Sequence, residues 1–455
     1  MIEISGRKVS VIGAARSGMA AAIELKRRGA FVYLSDEKPE SQWPQDKLNE
    51  IKLLLKENRI DHEFGGHSEK VYDSDLFVTS PGVPADSPVL QNAVSKGIKV
   101  ISELELGFRL CPAMVVAITG SNGKTTTTSL VGEIFHQAGR KHAVAGNIGT
   151  PYCSVASTLG PNDFAILEVS SFQLEWVESF KPAVAAILNI TPDHLDRHAS
   201  MDEYVALKMR IFANQSENDT AVINADDPLL MARHLKDPVL FSISGEVAKG
   251  CFVGNDMINL CLGRERRPLL RVSELGIKGP HNLANACAAA AIAASAGIAD
   301  DHIIKALQTF TGVEHRLEKV GLIGGVSFIN DSKATNVDAV FWALQSVSPP
   351  IVLIAGGKDK GGDFKQLEPL VRKNVSAVVL IGQATEKIAA AFDGIVVVEK
   401  AKSLPQAVER AYELAKPRGT VLLSPGCASF DMFDNYEHRG RVFKETVRAM
   451  MEIHC

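Results

Sequence analysis

Thr119-Gly120-Ser121-Asn122-Gly123-Lys124-Thr125-Thr126-Thr127 follows the apolar run Met114-Val115-Val116-Ala117-Ile118 and leads into a stretch that reads as a helix to Ala138, closed by Gly139. A continuous apolar run of this length suits a strand buried on both faces of a parallel sheet. Strand, glycine-bearing loop, lysine, hydroxyl and helix, in that order, form a cradle for a polyphosphate. Backbone N–H groups and the helix N-terminus face the anion, Lys124 adds a positive charge, and Thr125 offers a hydroxyl to Mg²⁺. The usual phosphate loop has glycine six residues before its lysine; here that place is Ile118, and the first glycine is Gly120. The strand before the loop and the threonines after it favour nucleotide binding over a plain strand–helix turn.

Toward the N-terminus, Lys8-Val9-Ser10-Val11-Ile12 reads as a strand, Gly13 to Gly18 as a turn and Ser17 to Arg28 as a helix stopped by Gly29. A second strand, Ala30 to Leu34, leads to Asp36, an acidic residue placed as in dinucleotide folds. Ala15 stands where the second glycine of a dinucleotide fingerprint belongs, which argues against an NAD site and a dehydrogenase. The turn and Asp36 hold a different nucleotide, or the unit is a Rossmann-like scaffold. Asp75 to Ser80 reads as a strand ending in the rigid turn Pro81-Gly82-Val83-Pro84, where open α/β sheets bind ligands.

The 455 residues suit about three domains. A net charge of −4 argues against a nucleic-acid or anionic-membrane surface, so an anionic ligand must be held by local groups. The seven cysteines form no CxxC pair, which points to reduced thiols in the cytoplasm, not to zinc or a disulfide framework. The first residues carry Glu3, Arg7 and Lys8, unlike a signal peptide, and no apolar run approaches the ~20 residues of a membrane span. A cytoplasmic protein without membrane insertion is expected, and a monomer.

Toward the C-terminus, Phe164 to Leu167 reads as a strand tipped by Glu168, and Val184 to Leu188 as one leading into Asn189-Ile190-Thr191-Pro192-Asp193-His194-Leu195-Asp196-Arg197-His198. Strand-tip carboxylate and imidazole groups beside a phosphate loop suit Mg²⁺ or phosphate, and a parallel sheet brings Glu168 and His194 to the edge that bears Lys124. In the helix read from Met201 to Phe212, Lys208 and Arg210 would by composition alone be solvated charges.

Taken together, TGSNGKTTT, GNIGTP, EVSSFQLE, NITPDHLDRH and the KMRIF around Lys208 resemble the ATP-dependent Mur ligases. The resemblance implies a three-domain α/β architecture. An N-terminal Rossmann-like domain (1–102) binds the UDP-muramyl substrate, and a central P-loop ATPase-like domain with a mostly parallel sheet (103–311) binds ATP. A C-terminal Rossmann-like domain (312–455) binds the amino acid and part of ATP. It implies ATP contacts at Gly120, Ser121, Asn122, Gly123, Lys124, Thr125, Thr126, Asn282, Asn285, Arg316, Asp331 and Lys333. It also implies two Mg²⁺ ions, held by Thr125 and by Glu168, His194 and Lys208, the lysine carrying CO₂ as a carbamate. Lys124, Glu168, His194 and Lys208 are then the catalytic set. UDP-substrate contacts fall on Arg16, Ser17, Asp36, Gly82, Asn147 and His194.

Beyond the alanine-rich helix of 279–298, strands read at Val326–Asn330, Ile351–Ala355, Ala377–Ile381, Ile395–Val398 and Thr420–Leu423. Asn330-Asp331-Ser332-Lys333-Ala334-Thr335-Asn336, Gly356 to Phe364 and Leu423 to Phe433 follow three of them. These strings resemble the D-glutamate-adding branch of the family, which places Thr335, Lys360, Ser429 and Tyr436 around D-glutamate. The implied reaction joins D-glutamate to UDP-N-acetylmuramoyl-L-alanine through an acyl phosphate. A folylpoly-γ-glutamate synthetase-like ligase and a nucleotide-hydrolysing switch are the rivals.

Overall fold

The computed structural model describes residues 3–147, 149–192, 200–263 and 265–454. It is a three-domain α/β protein with three mostly parallel sheets. Two compact units divide the chain: residues up to Ile190 with Ser200–Glu274 and Ala284–Thr309 form the first, and Leu275–Leu283 with the chain from Phe310 onward build the second.

The first unit holds two sheets. One contains β1 (Lys8–Ile12), β2 (Phe31–Asp36), β3 (Asp61–Phe64), β4 (Leu76–Thr79) and β5 (Lys99–Ser102) in the order β3-β2-β1-β4-β5, all parallel. Its order reverses at β1, so the carboxyl ends of β1, β2 and β4 open a crevice. The other contains β6 (Met114–Thr119), β7 (His142–Gly146), β8 (Phe164–Glu168), β9 (Val184–Ile187), β10 (Thr220–Asn224), β11 (Val239–Ser242), β12 (Gly250–Gly254), β13 (Met257–Cys261) and β14 (Arg267–Arg271). Their order is β14-β13-β12-β11-β10-β9-β6-β8-β7, with only the β12–β13 and β13–β14 pairings antiparallel. Every residue of β6 after Met114 is buried, as its unbroken apolar run predicts. Helix Asp300–Thr309 packs on helix Lys124–Gln137, and Ala286 to Ala293 are fully buried, so the alanine excess serves close packing all round the helix.

The second unit holds β15 (Glu318–Ile323), β16 (Val326–Asn330), β17 (Ile351–Gly356), β18 (Val375–Ile381), β19 (Val397–Lys400) and β20 (Thr420–Leu423), ordered β15-β16-β20-β17-β18-β19. Hydrophobic clusters cover both of its faces.

Most anticipated strands are present within a residue or two. The helix expected over 201–212 is α-helical only over Met201–Met209 and tightens to a 3₁₀ turn at Arg210–Phe212. Residues 220–271 supply five strands without a matching expectation, and β15 has none either. These are short segments, β14 and β15 at sheet edges, whose polar residues blur the alternation that marks a strand.

Candidate active site

β6 lies between β8 and β9, with Ile118 opposite Glu168 and Thr119 opposite Ile187. The strands carrying Glu168 and the segment toward His194 therefore flank the phosphate loop on opposite sides. The loop turns into helix Lys124–Gln137 through Gly123, whose φ of 82° belongs to the left-handed region. A β-carbon at Gly123 would lie 2.3 Å from Asn285 Oδ1, so glycine is required twice over. Asn285 is buried and its Oδ1 also accepts from Thr127 Oγ1 at 3.3 Å.

Asn189, just past β9, pins the loop from the other side. Asn122 N–H donates to Asn189 Oδ1 at 2.8 Å, Asn189 Nδ2 donates back to Asn122 O at 3.1 Å, and Ser121 N–H donates to Asn189 O at 3.0 Å. Lys124 Nζ curls over the loop and donates to the carbonyls of Gly120 and Ser121, both at 2.7 Å. Thr125 and Thr126 are buried in the first turn of the helix.

Glu168 is buried at the tip of β8. One carboxylate oxygen accepts from Asn147 Nδ2 at 2.8 Å; the other has no hydrogen-bond partner among the described residues. An unpaired buried carboxylate oxygen is costly and asks for an explanation. Beside a phosphate loop, a hard cation supplies one, so the donor set fits Mg²⁺. Lys208, 1% exposed, is not the solvated charge that composition suggests. Its Nζ donates to Gly120 O at 3.0 Å and lies 4.5 Å from the centre of the Tyr204 ring. Arg210 is also engaged, donating to the carbonyls of Glu175 (2.7 Å) and Val177 (2.5 Å). This ties the end of the Lys208 helix to the segment that follows β8. His194 lies outside the described residues.

The crevice of the first sheet is a cavity of about 860 Å³ whose lining includes Arg16, Ser17, Asp36, Gly82 and Asn147, the described residues expected to meet the UDP substrate. Asp36 is partly committed to the fold: its oxygens accept the N–H groups of Ala14 (2.6 Å) and Lys38 (2.8 Å). Ala15 has an ordinary backbone conformation, φ −74°, so the missing glycine strains nothing. Asn147 lines the cavity and holds Glu168, which joins this crevice to the phosphate-loop edge.

In the second unit, the adjacent strands β16, β20 and β17 bring three strings to one sheet edge. Lys358 and Ala428 exchange two backbone hydrogen bonds, at 2.9 and 3.0 Å, which pairs the Lys360 loop with the Ser429 loop. Gly426 N–H donates to Ala334 O at 2.9 Å, which adds the Thr335 loop. Ser429 is buried; Thr335 and Lys360 are half-buried, and their side chains make no hydrogen bond among the described residues. Lys333 Nζ donates to the Tyr436 hydroxyl at 3.3 Å. Arg439, 1% exposed, locks the assembly: it donates to Ser332 Oγ (3.0 Å), Ser332 O (2.8 Å) and Cys427 O (3.2 Å). Burial without a paired carboxylate pushes its guanidinium down to about 10.

Asp331 is buried and accepts from Leu317 N–H (3.2 Å) and Ser424 Oγ (2.9 Å), so it fastens the chain beside Arg316 to the sheet. Burial pushes its carboxyl up to about 6; the Arg316 charge and these hydrogen bonds offset only part of that effect. A carboxyl raised above its ordinary 3.8 stabilises the fold most when protonated. Its contribution is complete at low pH and is lost as pH rises from about 4 to about 6. Asp331→Asn, which cannot ionise, should remove that slope from denaturant midpoints measured between pH 4 and 7. An identical slope in the variant would refute the assignment.

Three family models match the chain: the MurD N-terminal domain over residues 9–89, the Mur ligase middle domain over 118–293 and the Mur ligase, glutamate ligase domain over 315–427. A UDP-N-acetylmuramoylalanine–D-glutamate ligase of Koribacter versatilis is 48% identical, with 99% of each chain covered. A ligase of the same name from Acidobacterium capsulatum is 46% identical over 98% of this chain and 97% of its own. The chain belongs to the Mur ligase family. Solved Mur ligases share its fold: UDP-N-acetylmuramate-alanine ligase MurC of Thermotoga maritima has a TM-score of 0.63 at 22% identity, covering 98% of this chain and all of its own. MurF of Acinetobacter baumannii has a TM-score of 0.61 at 18% identity, covering 98% of this chain and 93% of its own. The full-length relatives and the N-terminal match set aside the folylpoly-γ-glutamate synthetase reading.

For this Mur ligase, sequence reasoning did not single out Asn189 or Arg439, and composition alone makes Arg210 a solvated charge, whereas the structure binds it to two carbonyls. Asn189 carried a signal, an amide directly after a strand that neighbours the phosphate loop. Arg439 carried none, because an arginine on a helix of mixed charge is ordinarily solvated.

Proposed function

We infer that this Mur ligase joins D-glutamate to UDP-N-acetylmuramoyl-L-alanine at the expense of ATP, acting as a cytoplasmic monomer in peptidoglycan synthesis. Residues 1–102 take the UDP substrate, 103–311 ATP, and 312–455 the amino acid together with part of ATP. The observation that carries the chemistry is the edge of the nine-stranded sheet. There a pinned phosphate loop, Lys124, the half-unpaired Glu168 and the buried Lys208 stand together.

The phosphate loop and the N-terminus of helix Lys124–Gln137 hold the ATP phosphates, and Lys124 swings from its loop carbonyls to offset charge on the transferred phosphoryl group. A carboxylate oxygen of the L-alanine moiety bonds to the γ-phosphorus as the bridging P–O bond breaks and ADP leaves. The D-glutamate nitrogen, as the free amine, then bonds to the acyl carbon; the C–O bond breaks and phosphate leaves, while the nitrogen gives up one proton to solvent and keeps the other as the amide N–H. Thr125 would hold one Mg²⁺, and Glu168, His194 and the carbamate of Lys208 the other. The ions neutralise the phosphate oxygens when bound. Asn147 keeps one oxygen of Glu168 occupied and so orients the other. Asn282, Asn285, Arg316, Asp331 and Lys333 serve the nucleotide, with Asn285 and Asp331 acting through the loop and the chain they brace. Thr335, Lys360, Ser429 and Tyr436 receive D-glutamate.

An amino-acid screen for phosphate release, with ATP and UDP-N-acetylmuramoyl-L-alanine present, tests the reading. Release should depend on D-glutamate and not on its L-enantiomer. Release independent of any amino acid would indicate a simple nucleotide hydrolase.

A further inference from the structure

The crevice of the first sheet also contains a side chain that the reaction above leaves unused. His67 follows β3 and lines the cavity with its ring half-buried. Its Nδ1 lies 2.7 Å from Ser35 Oγ, which is fully buried and 2.8 Å from Glu63 Oε1. A serine hydroxyl has one proton, and a carboxylate is its strongest available acceptor. Ser35 therefore donates to Glu63 and accepts from His67, which places the imidazole proton on Nδ1. Glu63 is held as a carboxylate: burial alone would raise it, but hydrogen bonds from Ser68 and Ser35 bring it below its ordinary value.

With Nδ1 protonated, Nε2 of the neutral ring is an acceptor. Burial favours that neutral form, outweighing the Glu37, Glu63 and Asp36 carboxylates nearby. Nε2 makes no hydrogen bond among the described residues and is not sealed from solvent. The carboxylate at the same edge, Asp36, already receives a backbone N–H on each oxygen. The cavity thus contains a fixed, uncharged acceptor held in one tautomer by a buried relay.

We propose that His67 Nε2 accepts the imide N–H of the uracil in the UDP-linked substrate and so selects that base. The assignment rests on the reading of this cavity as the UDP-substrate site. A neutral acceptor of set tautomer suits the single N–H donor of uracil, and a base without that donor leaves the buried relay facing an unmatched group.

The test is binding of UDP and of 3-methyl-UDP, which lacks the imide proton, by calorimetry on the full chain. Wild type should bind UDP about tenfold or more tightly than 3-methyl-UDP, the scale of one hydrogen bond. His67→Phe should weaken UDP to the level of 3-methyl-UDP and leave 3-methyl-UDP nearly unchanged, whereas His67→Gln, which keeps an acceptor, should retain part of the preference. His67→Ala gives the same comparison should the phenylalanine variant not fold. A preference for UDP that survives removal of the imidazole overturns the proposal and leaves the cavity assignment standing. Absence of UDP binding by wild type overturns both.

Discussion

Glu168→Gln should lower the rate of D-glutamate-dependent phosphate release by about 100-fold or more while the melting temperature stays level or rises. The two effects have opposite sign because the wild-type group is placed for function at the expense of stability. Glu168 is buried, one oxygen is satisfied by Asn147, and the other faces no donor among the described residues. Such an atom costs about 1–3 kcal/mol. Glutamine keeps the oxygen that Asn147 needs and removes the buried charge. On the proposed function, the carboxylate that would hold Mg²⁺ is lost at the same time, so the reaction should suffer. Thermal melts and steady-state rates on one preparation decide it. A variant that is both destabilised and fully active would make Glu168 a structural carboxylate.

Lys124→Ala should reduce turnover about 1000-fold or more, the scale of removing a principal charge from a phosphoryl-transfer site. Lys124 donates to two loop carbonyls, at 2.7 Å each, but the loop does not depend on it for shape. Asn189 grips Asn122 and Ser121, and Gly123 packs against Asn285, so the cradle should survive the truncation. The expected result is a well-folded protein that still binds the UDP substrate and turns over almost nothing. A rate within tenfold of wild type would mean that another group carries the phosphoryl charge.

Much of the fold and of the site was legible because the relevant signals are local. The parallel strands β6, β8, β17 and β20 are built on unbroken apolar runs and β16 on one interrupted by Ser327, and each is followed within a few residues by its polar string. The antiparallel strands β13, β14 and β15 were not legible: β14 and β15 are edge strands that bear polar residues, and Asn259 interrupts the short run of β13. Lys208 was legible only through family resemblance. As a lone lysine in a helix its pattern is that of a surface charge, yet it lies at 1% exposure under the phosphate loop. Asp331 was placed on the nucleotide side, and the structure finds its carboxylate turned inward onto Leu317 and Ser424.

By itself the sequence determined the phosphate loop from Gly120 to Thr126. Its chemistry depends on neighbours along the chain: a strand end, a glycine with positive φ, a lysine and a helix start. Tertiary structure decided what surrounds that loop. Asn189 reaches Asn122 across 67 residues, and Arg439 reaches Ser332 across 107. Both contacts exist only because β9 pairs beside β6 and β20 inserts between β16 and β17. Strand order arises from how sheet faces bury their apolar residues against helices far away in the chain, a global balance that no short stretch of residues records.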